Sequence, residues 1–201
     1  MRRTKEQGFT LVEIAIVLII IGLLLGGVLK GQAMIDNGRV KRIGSDHNGV
    51  TAAVNAYRDQ YLAVPGDDPR AVARWASVTT NGNGTGLVDG AWDSTTNTDE
   101  TRTIWAMLRN ADLITGPTAG NTSFAQPANA FGGIIGVESN RYVNSGLEIC
   151  QSSIAGAVAT IVDTQFDDGN GTTGSIRVNS DAAATAGETT FDDPTNLCRD
   201  L

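Results

Sequence analysis

Ile14 to Leu29 reads IAIVLIIIGLLLGGVL, sixteen residues without a charge. As a buried helix of a soluble protein this run would leave no solvated face, because apolar residues occupy the whole circumference. With Phe9–Glu13 included, a helix here spans roughly 31 Å at about 1.5 Å per residue, close to the roughly 30 Å hydrocarbon thickness of a bilayer. A polar leader, Met1–Gly8, precedes it and carries Arg2, Arg3 and Lys5. A secretory signal peptide would end in small residues of the A-x-A kind, whereas Lys30-Gly31-Gln32-Ala33-Met34 follows here. A plain single-span anchor fits the length but leaves Glu13 unexplained, since a carboxylate inside a span costs about 2.5–3.5 kcal/mol on insertion scales. Orientation is undecided by charge alone, because Lys30, Arg39, Lys41 and Arg42 follow the span as closely as the leader's basic residues precede it.

The residue order across the junction is more specific than its hydrophobicity. Lys5-Glu6-Gln7-Gly8-Phe9-Thr10-Leu11-Val12-Glu13 resembles the class III signal of type IV pilins and of the pseudopilins of type II secretion. The resemblance implies cleavage by a prepilin peptidase between Gly8 and Phe9 on the cytoplasmic side, followed by N-methylation of Phe9. Gly8 suits a cut there, since glycine lets the backbone enter a protease without a side chain in the way. The family's Glu, here Glu13, is expected to meet the Phe9 amine of a neighbouring subunit, and a carboxylate also suits the positive end of a helix dipole. Implied partners are the peptidase, an inner-membrane assembly platform, the lipid bilayer before assembly, and further copies of the chain in a helical filament. The leader would then be cytoplasmic and the globular part outside.

Beyond the apolar run, Val40, Ile43, His47, Val50, Val54, Tyr57 and Tyr61 recur at alternating spacings of three and four, the stripe of an amphipathic helix. Pro65-Gly66 ends it. The chain therefore divides into a leader (1–8), a membrane and assembly half of one long helix (9–30), an amphipathic half (31–64) and a globular head (65–201). Gly22, Gly26, Gly27 and Gly31 form small-xxx-small pairs that permit close helix contact in lipid. Many type IV pilins have a mid-helix Pro, but none occurs here between Phe9 and Val64, which leaves major pilin and pseudopilin both open.

From Pro65 onward Gly, Asn, Thr and Asp increase. Asn81–Gly86 reads as a loop, and Thr101–Leu113 as a short helix. Phe131–Val137, Tyr142–Ile149 and Ser175–Val178 read as strands, and Ser152–Gln165 as a helix. The sum is α+β, a long helix packed on a small antiparallel sheet, which agrees with the pilin fold. Cys150 and Cys198 both lie where the resemblance places the oxidising side, so a disulfide is expected. In type IV pilins such a C-terminal bridge bounds the variable loop region.

Acidic pairs recur at Asp67-Asp68, Asp167-Asp168 and Asp192-Asp193, each beside Gly or Pro. Charged turns are the first expectation. Some pseudopilins hold calcium in C-terminal loops, and Asp163, Asp167, Asp168 and Asp192 are the candidate ligands here. Asn81, Asn83 and Thr85 mimic the alternation of a calcium loop without a carboxylate. No other metal or cofactor is expected.

Enzyme chemistry finds little purchase. His47 is the single histidine and two Cys are too few for a Cys-ligated zinc site. No phosphate loop or Ser-His-Asp set is evident, so His47 is expected to be a packed residue. The net charge of −7 argues against a bulk surface that grips nucleic acid, and loss of Arg2, Arg3, Lys5 and Glu6 with the leader takes it to −9. The expected function is structural: a subunit of a type IV pilus filament, made as an inner-membrane precursor. A type II secretion pseudopilin is the alternative. A DNA-uptake pilin and a membrane-anchored periplasmic enzyme stand further off, as does an electron-conducting filament. The basic group Lys30, Arg39, Lys41 and Arg42 is expected to face acidic groups on neighbouring subunits.

Overall fold

The computed structural model describes residues 9–142, 146–179, 187 and 194–201. The chain forms two units, residues 1–38 and 39–201. Helix α1, Leu11–Tyr61, begins in the first and ends in the second.

In the first unit none of the described residues is buried. The apolar side chains from Phe9 to Ile35 are exposed, with Leu11 at 89% and Leu23 at 76%. Apart from their own helix backbone and chain neighbours, Gly22, Gly26, Gly27 and Gly31 have nothing within 4 Å of where a Cβ would stand.

In the second unit α1 buries Val40, Ile43, His47, Val50, Ala53, Val54 and Tyr57, the stripe expected from the spacing with Ala53 added, while Tyr61 is partly buried against it. The helix stops as Leu62 turns left-handed at φ 54°, its N–H still bonded to the Arg58 carbonyl. After it come α2 (Ala71–Arg74), α3 (Glu100–Asn110), a 3-10 turn at Asn121–Phe124, β1 (Ile135–Ser139), β2 (Leu147–Ile154), α4 (Gly156–Phe166), β3 (Ile176–Asn179) and β4 (Thr195–Asp200). The strands form one antiparallel sheet in the order β1-β2-β4-β3. This is the α+β arrangement of a pilin fold.

Two apolar clusters share the α1 stripe. Toward its C-terminal end Val50, Val54 and Tyr57 pack with Trp105, Met107 and Leu108 of α3 and with Val137 and Ile149 of the sheet. Nearer Arg39, Val40 and Ile43 pack with Val158 and Val162 of α4 and with Ile176, Val178 and Leu197.

Several boundaries differ from the sequence expectation. The strand expected over Phe131–Val137 starts only at Ile135. Gly132 is left-handed at φ 82°, and a Cβ on Gly133 would lie 2.3 Å from the Ser152 carbonyl oxygen, so this stretch is a tight approach and not a ladder. The strand expected over Tyr142–Ile149 runs instead over Leu147–Ile154 and takes the start of the segment read as a helix from Ser152. A register shift between Gln151 and Ile154, with Ser153 at φ 60°, carries it past the expected boundary. Helix α3 ends at Asn110, short of Leu113, because Asp112 is left-handed at φ 56° and Leu113 N–H turns back to the Leu108 carbonyl. Strand β4 was not foreseen at all.

Asp67 and Asp68 are not solvated turn residues. They are 3% and 0% exposed. Asp67 accepts hydrogen bonds from the backbone N–H groups of Gly84, Thr85 and Gly86, so the Asn81–Gly86 loop wraps a buried carboxylate. Glu100 accepts from Asn83 N–H on the same loop and from Asp89 N–H just beyond it. The loop's own oxygens are likewise engaged: Asn81 Oδ1 accepts from Val72 N–H and Asn83 Oδ1 from Thr85 N–H. Both oxygens hold backbone. Gly82 is obligatory here, as a Cβ would stand 2.1 Å from the Asp67 carbonyl carbon.

Candidate functional site

The N-terminal site is built from Phe9, Thr10 and Glu13. Phe9 is 84% exposed. Thr10 is the residue before α1, and Glu13 lies in its first turn. The Glu13 carboxylate accepts from both the Thr10 N–H and the Thr10 hydroxyl at 2.8 Å, while Glu13 N–H donates to Thr10 Oγ1 at 3.3 Å. This reciprocal pair is a capping box, which satisfies donors that the helix end leaves without partners. The Thr-x-x-Glu spacing carries that signal in the sequence, beyond the amine-pairing and helix-dipole roles expected of Glu13. Helix α1 supplies the rest: it is long and apolar enough to cross a membrane, with a mean hydropathy of 2.8 over its most apolar window and none of that window buried.

The prokaryotic N-terminal methylation motif matches residues 3–29 of this chain. This chain fits a prepilin or pseudopilin. The match spans the leader and the apolar start of α1 and reaches no part of the second unit. No curated protein matches the chain. No solved structure matches it. Gly8, the expected last residue of the leader, lies outside the described residues.

In the head of this prepilin-like chain Cys150 and Cys198 are bonded, 48 positions apart in sequence. They face each other across β2 and β4, fully buried beside Trp92. The bridge therefore joins two central strands, and α4 and β3 lie within the loop it closes. That gives a chain-entropy stabilisation of about 4 kcal/mol.

Of the candidate calcium ligands, Asp163, Asp167 and Asp168 come together at the C-terminal end of α4, one oxygen of each lying within 4.8 Å of the others. Asp192 lies outside the described residues. Asp163 is 0% exposed and neither of its carboxylate oxygens has a hydrogen-bond partner among the described residues. Burial, reinforced by the charges of Asp167 and Asp168, pushes its pKa from 3.8 up to about 6, with Arg177 opposing. Asp167 accepts from Ile176 N–H at 2.8 Å. Asp168 accepts from the Thr173 hydroxyl and Asn170 N–H, and those bonds hold its carboxyl below the ordinary value. A buried carboxylate left without donors and facing two more carboxylates fits a hard, oxygen-seeking cation such as calcium.

His47 is packed, as expected. It is 7% exposed and lines a cavity of about 10 Å³ with Gln151, Phe166 and Arg199, room for at most about one water. Burial, then the Arg199 charge, lowers its pKa to about 4 against an opposing contact with Asp200. The basic group is partly committed inside the chain: Arg42 pairs with Asp46 at 2.8 Å, and Arg39 lies 5.1 Å from the centre of the Phe131 ring.

Proposed function

We propose that this chain is the structural subunit of a type IV pilus. It is held in the inner membrane as a precursor, cut after Gly8 by a prepilin peptidase, N-methylated at Phe9 and polymerised through the apolar part of α1. The observation that carries the reading is a methylation motif on a helix whose large apolar side chains from Leu11 to Ile35 are all exposed. In the membrane, lipid covers these side chains. Filament entry exchanges lipid contacts for helix contacts, so packing and polar pairing drive it more than hydrophobicity does. Two glycine pairs, Gly22 with Gly26 and Gly27 with Gly31, on different sides of the helix, let backbones approach. Glu13, internally capped in the single chain, gains a cationic partner only when the Phe9 amine of a neighbour reaches it.

Glu13→Gln separates the two roles. An amide oxygen can still accept the Thr10 hydrogen bonds while the charge is gone. The expected result is normal cleavage at Gly8 with at least a tenfold loss of subunit from sheared filaments, and filament yield equal to wild type refutes the role. A type II secretion pseudopilin is the second reading, kept open by the absence of Pro between Phe9 and Val64. Shearing separates the two, since long surface filaments belong to the pilus and short periplasmic ones to the pseudopilus.

The reading includes one metal. Asp163, Asp167 and Asp168 would hold calcium, which would offset two of the three facing carboxylate charges and tie the end of α4 to the turn before β3. The role is structural, and it leaves the chain without catalytic chemistry.

A further inference from the structure

Three Asn-x-Ser/Thr triplets occur in the chain: Asn83-Gly84-Thr85, Asn121-Thr122-Ser123 and Asn170-Gly171-Thr172. Such a triplet is the acceptor pattern for N-linked glycosylation, which also requires an accessible loop. The stringent bacterial form of the acceptor adds an acidic residue two positions before the Asn. Asn170 alone has one, Asp168, where Asn83 has Asn81 and Asn121 has Ala119.

The structure separates the three further. Asn83 Nδ2 donates to Asp89 at 2.9 Å, so the nucleophilic nitrogen is engaged. Asn121 sits in the 3-10 turn, and the hydroxyl of its Ser123 donates to the Gly120 carbonyl at 2.7 Å in a residue that is fully buried. Asn170 is exposed, between α4 and β3 and outside any helix or strand. Its Oδ1 accepts from both the Thr172 hydroxyl at 2.8 Å and the Thr172 N–H at 3.1 Å. The hydroxyl that an acceptor site needs is thus already beside the amide, and Nδ2 donates to no acceptor among the described residues.

We propose that Asn170 is a glycan attachment site, taking an oligosaccharide from a polyprenyl pyrophosphate-linked donor. In the transfer, Asn170 Nδ2 attacks the anomeric carbon of the first sugar. The bond from that carbon to the pyrophosphate oxygen breaks, polyprenyl pyrophosphate leaves, and one amide proton passes to a base of the transferase. The inference rests on the head lying outside the cytoplasm, as the pilus reading has it, because such donors are used on that side of the membrane.

The test co-expresses the full chain with a bacterial oligosaccharyltransferase, a lipid-linked heptasaccharide of known mass and a prepilin peptidase, followed by intact and peptide mass spectrometry. The expected product carries one heptasaccharide on the peptide containing Asn170. Asn170→Gln abolishes it, Thr172→Ala lowers occupancy at least tenfold, and Asn83→Gln and Asn121→Gln leave it unchanged. These variants spare Asp168, which also belongs to the carboxylate cluster. A chain that starts at Phe9 and bears no glycan overturns the inference while leaving the pilus reading intact, and glycan confined to Asn83 or Asn121 overturns it too. The N-terminal mass in the same spectra reads the pilus pathway separately, since a chain still starting at Met1 counts against that pathway whatever Asn170 carries.

Discussion

Asp163→Asn deletes the charge of a carboxylate that is fully buried and has no donor among the described residues. Its pKa in the folded chain is about 6 against an ordinary 3.8, and at about 1.4 kcal/mol per unit the ionised form costs the fold about 3 kcal/mol near neutral pH. Folding raises this pKa, so the folded state binds the proton more tightly than the unfolded one. The metal-free protein therefore gains stability as the pH falls from 7 through 6 toward 4. An Asn amide also lacks partners there, so the variant should be more stable than wild type by about 1–2 kcal/mol in chelator at pH 7. The gap should close as the pH falls to 4. Calcium reverses the ranking: at about a hundredfold excess over its dissociation constant it adds about 2.7 kcal/mol to wild type, and it adds little to the variant. Urea unfolding of the detergent-solubilised full chain, with chelator and with calcium, reads all of this. A variant less stable than wild type in chelator, together with a wild-type midpoint that calcium does not move, would refute the reasoning.

Replacing Cys150 and Cys198 together by Ala should cost about 4 kcal/mol in the same urea assay, with hydrogen exchange rising first in α4 and β3, the elements inside the closed loop; a loss under about 1 kcal/mol contradicts it. Asp68→Asn breaks a buried set in which Asp68 accepts from Tyr57 Oη at 2.7 Å, from Arg70 N–H and from the Arg74 guanidinium. The expected loss is about 3 kcal/mol. Burial pushes the Asp68 carboxyl up, but the bonds from Arg74, Tyr57 and Arg70 outweigh it and hold the pKa below 3.8. The stabilisation is thus fully present above pH 3.8 and fades as the pH drops through the folded value, so wild type and variant converge only in strong acid.

What could be read in the sequence was what depends on near neighbours. The face of α1 followed from its alternating spacing because a helix of fixed pitch converts spacing into direction. The end of α1 followed from Pro65-Gly66. Asp163 and Asp167 sit four apart, one helical turn, and so come together without help from the rest of the fold. Strand β4 could not be read this way. Its sequence, Thr-Asn-Leu-Cys-Arg-Asp, has one large aliphatic residue, and its strand state comes from pairing on both sides with β2 and β3. Asp67 and Asp68 misled for the same reason. An Asp pair beside Gly reads locally as a solvated turn, but the donors that bury them are Tyr57, Arg74 and the 84–86 backbone, distant in sequence. The capping box was local and legible. Thr10 and Glu13 lie three apart, within one helical turn.

The central claim is that this chain is a precursor trimmed for assembly, and the mass of the N-terminus in native protein tests it most directly. The account predicts a first residue of Phe9 with one added methyl group on its amine. A native chain beginning at Met1, or cut elsewhere in the first thirty residues, would contradict it.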